Sequence, residues 1–167
     1  MGDVADLVAP GLQVLFVGIN PGLRSGATGT HFAGPSNRFW AALHGAGLTD
    51  RRLSPGEGDA LLAAGLGITN LVERTTATAA EIGADELRAG AVRLEGTVVR
   101  FAPRAVAVLG LGAYRTAFGR PRATAGLQPE TLGARPLWLF ANPSGLQARY
   151  QLPDLVAGFE ALRRSLD

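Results

Sequence analysis

A three-layer α/β/α sandwich with a short central, mainly parallel sheet is the fold class this sequence predicts. Short, nearly continuous apolar runs stop at glycine or Asn-Pro, as strands buried on both faces do. Segments with helical apolar spacing lie between them, and strands alternating with helices imply a parallel sheet covered on both sides. The 167 residues, 47% hydrophobic and 18% charged, supply one core of ordinary size. No repeat, linker or break in composition divides the chain, so residues 1–167 read as a single domain.

The first strand is predicted over residues 12–17, Leu12-Gln13-Val14-Leu15-Phe16-Val17, stopped by Gly18. A helix follows over 37–45, with Phe39, Trp40 and Leu43 on one face and Ser36 as its cap. Residues 55–64 form the next helix, with Ser54 and Glu57 as a capping box and Pro55 at the first position. Leu66-Gly67-Ile68-Thr69 is a weaker strand. The helix over 85–101 has a stripe of Leu87, Ala91 or Val92, Leu94, Val98 and Phe101. Ala105-Val106-Ala107-Val108-Leu109 and Leu137-Trp138-Leu139-Phe140 are further strands, separated by an expected irregular stretch at 119–133. A last helix over 153–166 presents Leu155, Val156, Phe159, Leu162 and Leu166.

Composition excludes several chemistries. There is no cysteine, so disulfides, thiolate clusters and cysteine nucleophiles are absent. His31 and His44 are too few for a zinc site. All 16 Lys+Arg residues are arginine, so no side chain can form a Schiff base or serve as a P-loop lysine. Between Arg100 and Arg149 lie seven arginines and one acid, Glu130, within a chain whose net charge is +2. That concentration suggests a polyanionic partner, although solvated arginines would look the same. The start of the chain has no positive leader region and its apolar run is too short to span a bilayer, so a soluble, cytoplasmic protein without membrane association is expected.

In parallel sheets ligands sit beyond the carboxyl ends of strands, and there the sequence is most informative. Gly18-Ile19-Asn20-Pro21-Gly22 follows the first strand and Asn142-Pro143-Ser144-Gly145-Leu146 follows the last. Proline restricts the residue before it to extended backbone, so both asparagine amides are held at strand ends. Flanking glycines let backbone approach a ligand. One such turn is ordinary; two at the ends of buried strands suggest a shared site. Gly110-Leu111-Gly112 also follows a strand, but Arg115 stands where a dinucleotide fingerprint needs its third glycine, and that reading fails.

Four motifs in order carry a family resemblance: GINPG at 18–22, NRFW at 37–40, GITNLVERTT at 67–76 and NPSGL at 142–146. Together they resemble the mismatch-specific uracil-DNA glycosylases, within the branch that also holds the thymine-DNA glycosylases. The resemblance implies a monomer, without metal or cofactor, acting on double-stranded DNA that contains uracil mispaired with guanine. The base would be flipped out of the duplex and its N-glycosidic bond hydrolysed, leaving an abasic site for base excision repair. Asn20 would hold the hydrolytic water, an amide being able to orient it but not to take its proton. Gly18, Ile19, Pro21, Gly22, Asn142 and Ser144 would surround the base and its developing charge. Phe32 would stack on it, unless it is a packing aromatic, and Ser25 would line the pocket, unless it is an ordinary loop serine. Pro143, Gly145, Leu146 and Arg149 would meet the duplex, Leu146 as the wedge that fills the vacated space or, more blandly, as a staple onto the last helix.

Two departures bear on rate and range. Asn70 stands where some family members have lysine, and no carboxylate lies inside either Asn-Pro motif. Glu73 and Asp85 are the candidate auxiliary acids, with a cap or surface role as the alternative. His31 is either near the pocket mouth or a solvated loop residue. Without lysine the enzyme would be monofunctional. The rival to an enzyme is a non-catalytic DNA-damage binding module on the same fold.

Overall fold

The computed structural model describes residues 4–144 and 151–167. Its strands are β1 (Val14–Gly18), β2 (Leu66–Asn70), β3 (Ala105–Leu109), β4 (Gly126–Leu132) and β5 (Arg135–Phe140), and its helices α1 (Leu23–Thr28), α2 (Phe39–Gly45), α3 (Gly58–Ala63), α4 (Ala84–Phe101), α5 (Leu111–Ala117) and α6 (Leu152–Ser165). One sheet has the order β2-β1-β3-β5-β4. Its first four members run parallel, and β4 is antiparallel to β5. The α/β architecture expected from the apolar runs is therefore present.

The continuous apolar runs follow from burial on both faces. Val14 and Phe16 of β1 join Phe39 and Leu43 of α2 and Phe159 of α6 in one core layer. Leu15 and Val17 point the other way, toward Leu94 and Val98 of α4 and Tyr114 of α5. Phe16 anchors the first layer, its ring centroid 5.2 Å from those of both Phe39 and Phe159.

Three elements depart from expectation, one of them α5, which the sequence reading did not delimit. Residues 119–133, expected to be irregular, contain β4, whose alternating burial marks an edge strand with one wet face. The glycine-rich stretch after β1 contains α1, a six-residue helix without a side-chain cap. Elsewhere only the bounds move. Pro55 and Gly56 form a turn before α3, while Glu57 still accepts from the Ser54 amide at 3.0 Å. At the start of α2 the carboxamide of Asn37, rather than Ser36, accepts from the Phe39 amide at 2.9 Å.

The parallel register places Gly18 beside Asn70 and Leu109 beside Phe140. The loops after β1, β2, β3 and β5 consequently share one edge of the sheet. Leu7 caps the outer side of β2 through an antiparallel bridge to Ile68. Among the described residues no helix is long and apolar enough to cross a membrane.

Candidate active site

The loop after β2 runs beside the loop after β1 and is hydrogen-bonded to it. Leu71 donates to the Gly18 carbonyl and Val72 to that of Ile19, both at 2.9 Å, and Thr76 donates to that of Pro21 at 3.1 Å. This pairing delivers two acceptors to Asn20. Its Nδ2 donates to the Arg74 carbonyl at 2.9 Å and to Thr76 Oγ1 at 2.8 Å. The Thr76 hydroxyl spends its own proton on the Thr78 carbonyl at 2.7 Å, so toward Asn20 it accepts. A carbonyl also only accepts. Both partners therefore require the NH₂ group on their side, which leaves Asn20 Oδ1 as an uncommitted acceptor among the described residues.

Asn142 is arranged the opposite way. Its Oδ1 accepts from the Ser144 amide at 3.0 Å, leaving Nδ2 as the available donor. Asn20 and Asn142, with Ser144, line one cavity of about 460 Å³, within the range of small-ligand sites. Arg38, from the NRFW motif, fastens the second loop: its amide donates to the Pro143 carbonyl at 2.9 Å and its Nη1 to the Ser144 carbonyl at 3.1 Å.

Phe32 lines the same cavity, its ring 4.4 Å from that of Phe39 between centroids. Its φ of 50° lies in the left-handed region that a bulky residue avoids. Two hydrogen bonds hold it there: Trp40 Nε1 donates to the Phe32 carbonyl at 3.3 Å, and the next amide, Ala33, to Ser25 Oγ at 3.1 Å. Ser25 is buried and lines the cavity, as do Ile19, Pro21 and Gly22. Gly18 does not line it but is needed beside it. A Cβ there would lie 2.5 Å from Asn70 Oδ1 and 3.3 Å from the Phe32 ring.

His31 is not a solvated loop residue: it is buried and lines the cavity. Its Nε2 is 2.8 Å from the Ala5 carbonyl, so that nitrogen carries the hydrogen and Nδ1 faces the Asn70 amide at 3.5 Å. Burial holds its pKa below the ordinary value, opposed by the Ala5 hydrogen bond and by Asp6. Glu73 and Asp85 do not line the cavity, and Asp85 pairs with Arg88 at 3.1 Å. No carboxylate lines it among the described residues, and no group of residues there could hold a metal ion. Gly145, Leu146 and Arg149 lie outside the described residues.

Sequence reading missed four contributors: Thr76, Arg38, Arg24 and the Arg74–Glu86 pair. Arg74 and Glu86 meet through two hydrogen bonds of 2.9 and 2.8 Å, tying the post-β2 loop to α4. That guanidinium lowers the Glu86 pKa. Arg38, Arg74 and Thr76 lie inside motifs already singled out, but only the fold brings Thr76 and the Arg74 carbonyl to Asn20. Gly110 is explained by packing: a Cβ would come 2.9 Å from Ile19 Cδ1, whereas nothing crowds Gly112. Among the described residues, no arginine of the basic stretch lines the cavity either. Arg104 and Arg135 stand at the amino ends of β3 and β5, on the opposite edge, and Arg104 donates to Gln13 and to the Leu166 carbonyl.

Residues 5–163 match the model of the family described as the Uracil DNA glycosylase superfamily, and the chain belongs to that superfamily. Its class is accordingly that of the N-glycosyl hydrolases that act on DNA in base excision repair. Among solved structures, the chain is similar to the solution structure of a candidate uracil DNA glycosylase from Methanosarcina acetivorans, at 15% identity and a TM-score of 0.66. That alignment covers 97% of this chain and 98% of the other, a likeness of fold.

Proposed function

We propose that the chain is a monofunctional, mismatch-directed uracil-DNA glycosylase that works on a flipped base in double-stranded DNA. The observation that carries this reading is the opposite orientation of two neutral amides in one cavity, Asn20 offering an acceptor and Asn142 a donor. Asn20 Oδ1 suits a water molecule poised below the sugar C1′. It orients the water without accepting its proton, which implies slow chemistry. As the C1′–N1 bond breaks, positive charge grows on the sugar and negative charge on the departing base. Asn142 Nδ2 suits that anion, in a cavity that no carboxylate among the described residues lines. Water adds its oxygen to C1′, and its proton leaves to solvent or to the released base.

The preference for uracil opposite guanine is supported by the NPSGL resemblance, with Leu146 as the wedge and Gly145 and Arg149 toward the widowed base. The base pocket comprises Ile19, Pro21, Gly22, Ser25, Phe32 and Ser144, with Pro143 stiffening the second loop. The missing carboxylate favours one alternative, a module that binds damage with little or no turnover. A single-turnover assay with excess protein on a U·G duplex decides: release of uracil and an alkali-labile abasic site are expected, and binding without product would leave only the module. Asn20→Ala is expected to lower the single-turnover rate by about 10²-fold or more while retaining DNA binding. An unchanged rate would remove Asn20 from the chemistry. A borohydride-trapped adduct would contradict the monofunctional reading.

A further inference from the structure

Of the arginines on the loops around the cavity, Arg38 is committed to the Ser144 carbonyl and Arg74 to Glu86. Arg24 differs. It is exposed, it lines the cavity, and its guanidinium has no hydrogen bond or ion pair among the described residues. Beside it Leu23 leaves 52% of its surface in solvent, one of the few large apolar residues to do so. Both sit on the first turn of α1, whose seat is firm: Ser25 is buried against Ala33, and Gly26 packs so closely on Thr75 that a Cβ would fall 2.7 Å from its side chain.

A nucleotide with its base in this cavity leaves its sugar at the mouth and its phosphates at the rim. A guanidinium there meets phosphate with a planar fork of donors. We propose that Arg24 grips a phosphate flanking the everted nucleotide and that Leu23 packs on the sugar of the same strand. The first turn of α1 is then a strand-holding element additional to the 142–144 loop. This inference rests on the glycosylase reading above.

The test is equilibrium binding of the full chain to a duplex carrying 2′-fluoro-2′-deoxyuridine opposite guanine, a substrate that resists hydrolysis, over a range of salt. Arg24→Ala is expected to weaken binding about tenfold and to lower the slope of log Kd against log salt by about one. Arg24→Lys keeps the slope. Leu23→Ala weakens binding with the slope unchanged, as an apolar contact must. Arg88→Ala, which does not line the cavity, controls for lost charge. Replacing each flanking phosphate in turn by a neutral methylphosphonate identifies the one gripped, because there Arg24→Ala adds no further loss. An unchanged slope in Arg24→Ala, or full additivity at both phosphates, overturns the proposal. So does a loss confined to the cleavage rate, which would assign the guanidinium to the departing base. Wild-type uracil release is measured alongside; its failure would sink the glycosylase reading, while the salt slope still reports on Arg24.

Discussion

Asn20 owes its use to a hydroxyl that faces away from it. Because Thr76 donates to the Thr78 carbonyl, its oxygen can only receive the Asn20 amide hydrogen. Thr76→Val removes that acceptor and frees the carboxamide to turn. The single-turnover rate at saturating protein is then expected to drop roughly ten- to a hundredfold, with a smaller change in DNA affinity. Thr76→Ser should recover most of the rate. If valine and serine behave alike, Thr76 is packing and nothing more. The same geometry argues that Asn20→Asp is no simple gain of a base, since a carboxylate oxygen would face the Arg74 carbonyl at the 2.9 Å now bridged by a hydrogen bond.

At the scale of elements, legibility followed burial. β1 and β3 were readable because strands covered on both faces must be apolar at every position. β4 was not, because its wet face admits Pro129 and Thr131, beside the half-buried Glu130, and even its inner face carries a polar residue, the buried Gln128. α1 escaped notice because Ser25, Gly26 and Thr28 are weak helix formers; tertiary contacts hold it instead. Gly90 of α4 looks like a flaw in a helix interior, where alanine normally gains about 0.5–1 kcal/mol. In the fold it is a contact surface: a Cβ there would lie 2.2 Å from the Leu71 carbonyl oxygen. Backbone cannot rotate aside as a side chain can. Gly90→Ala is therefore expected to destabilise the protein by about 1–3 kcal/mol, read as a lower urea midpoint with an unchanged m-value. The displacement would also reach the site, since the Leu71 amide is bonded to Gly18.

For the molecule as a whole, pH acts through two separate windows. His31 has a folded pKa below its ordinary 6.5 because burial disfavours its cation. Its contribution to stability is complete above about pH 6.5. Below that the unfolded chain takes up a proton that the fold resists, and stability is lost as pH falls toward the folded value. The melting temperature should decline between about pH 7.5 and 5.5 more steeply in wild type than in His31→Gln, whose amide can still donate to Ala5. Parallel curves would show that His31 does not set this window. The second window lies lower. Hydrogen bonds from Arg51 hold Glu57 at about 2, and those from Arg74 hold Glu86 below its usual value. Their stabilisation is present above the ordinary carboxylate range and is lost as pH falls through the folded values.

The sequence by itself determined the layered α/β plan, the two Asn-Pro loops and the family motifs, because apolar periodicity and proline act locally along the chain. It also excluded thiol, lysine and P-loop chemistry by composition alone. Which way the Asn20 amide points was decided only by the tertiary structure, whereas Asn142 is turned by the Ser144 amide two residues on. The acceptors that orient Asn20 come from residues more than fifty positions away, and strand order, not sequence distance, brought them there. The same holds for charge: among the described residues none of the arginines of the 100–149 stretch lines the cavity, whereas Arg24, from outside that stretch, does.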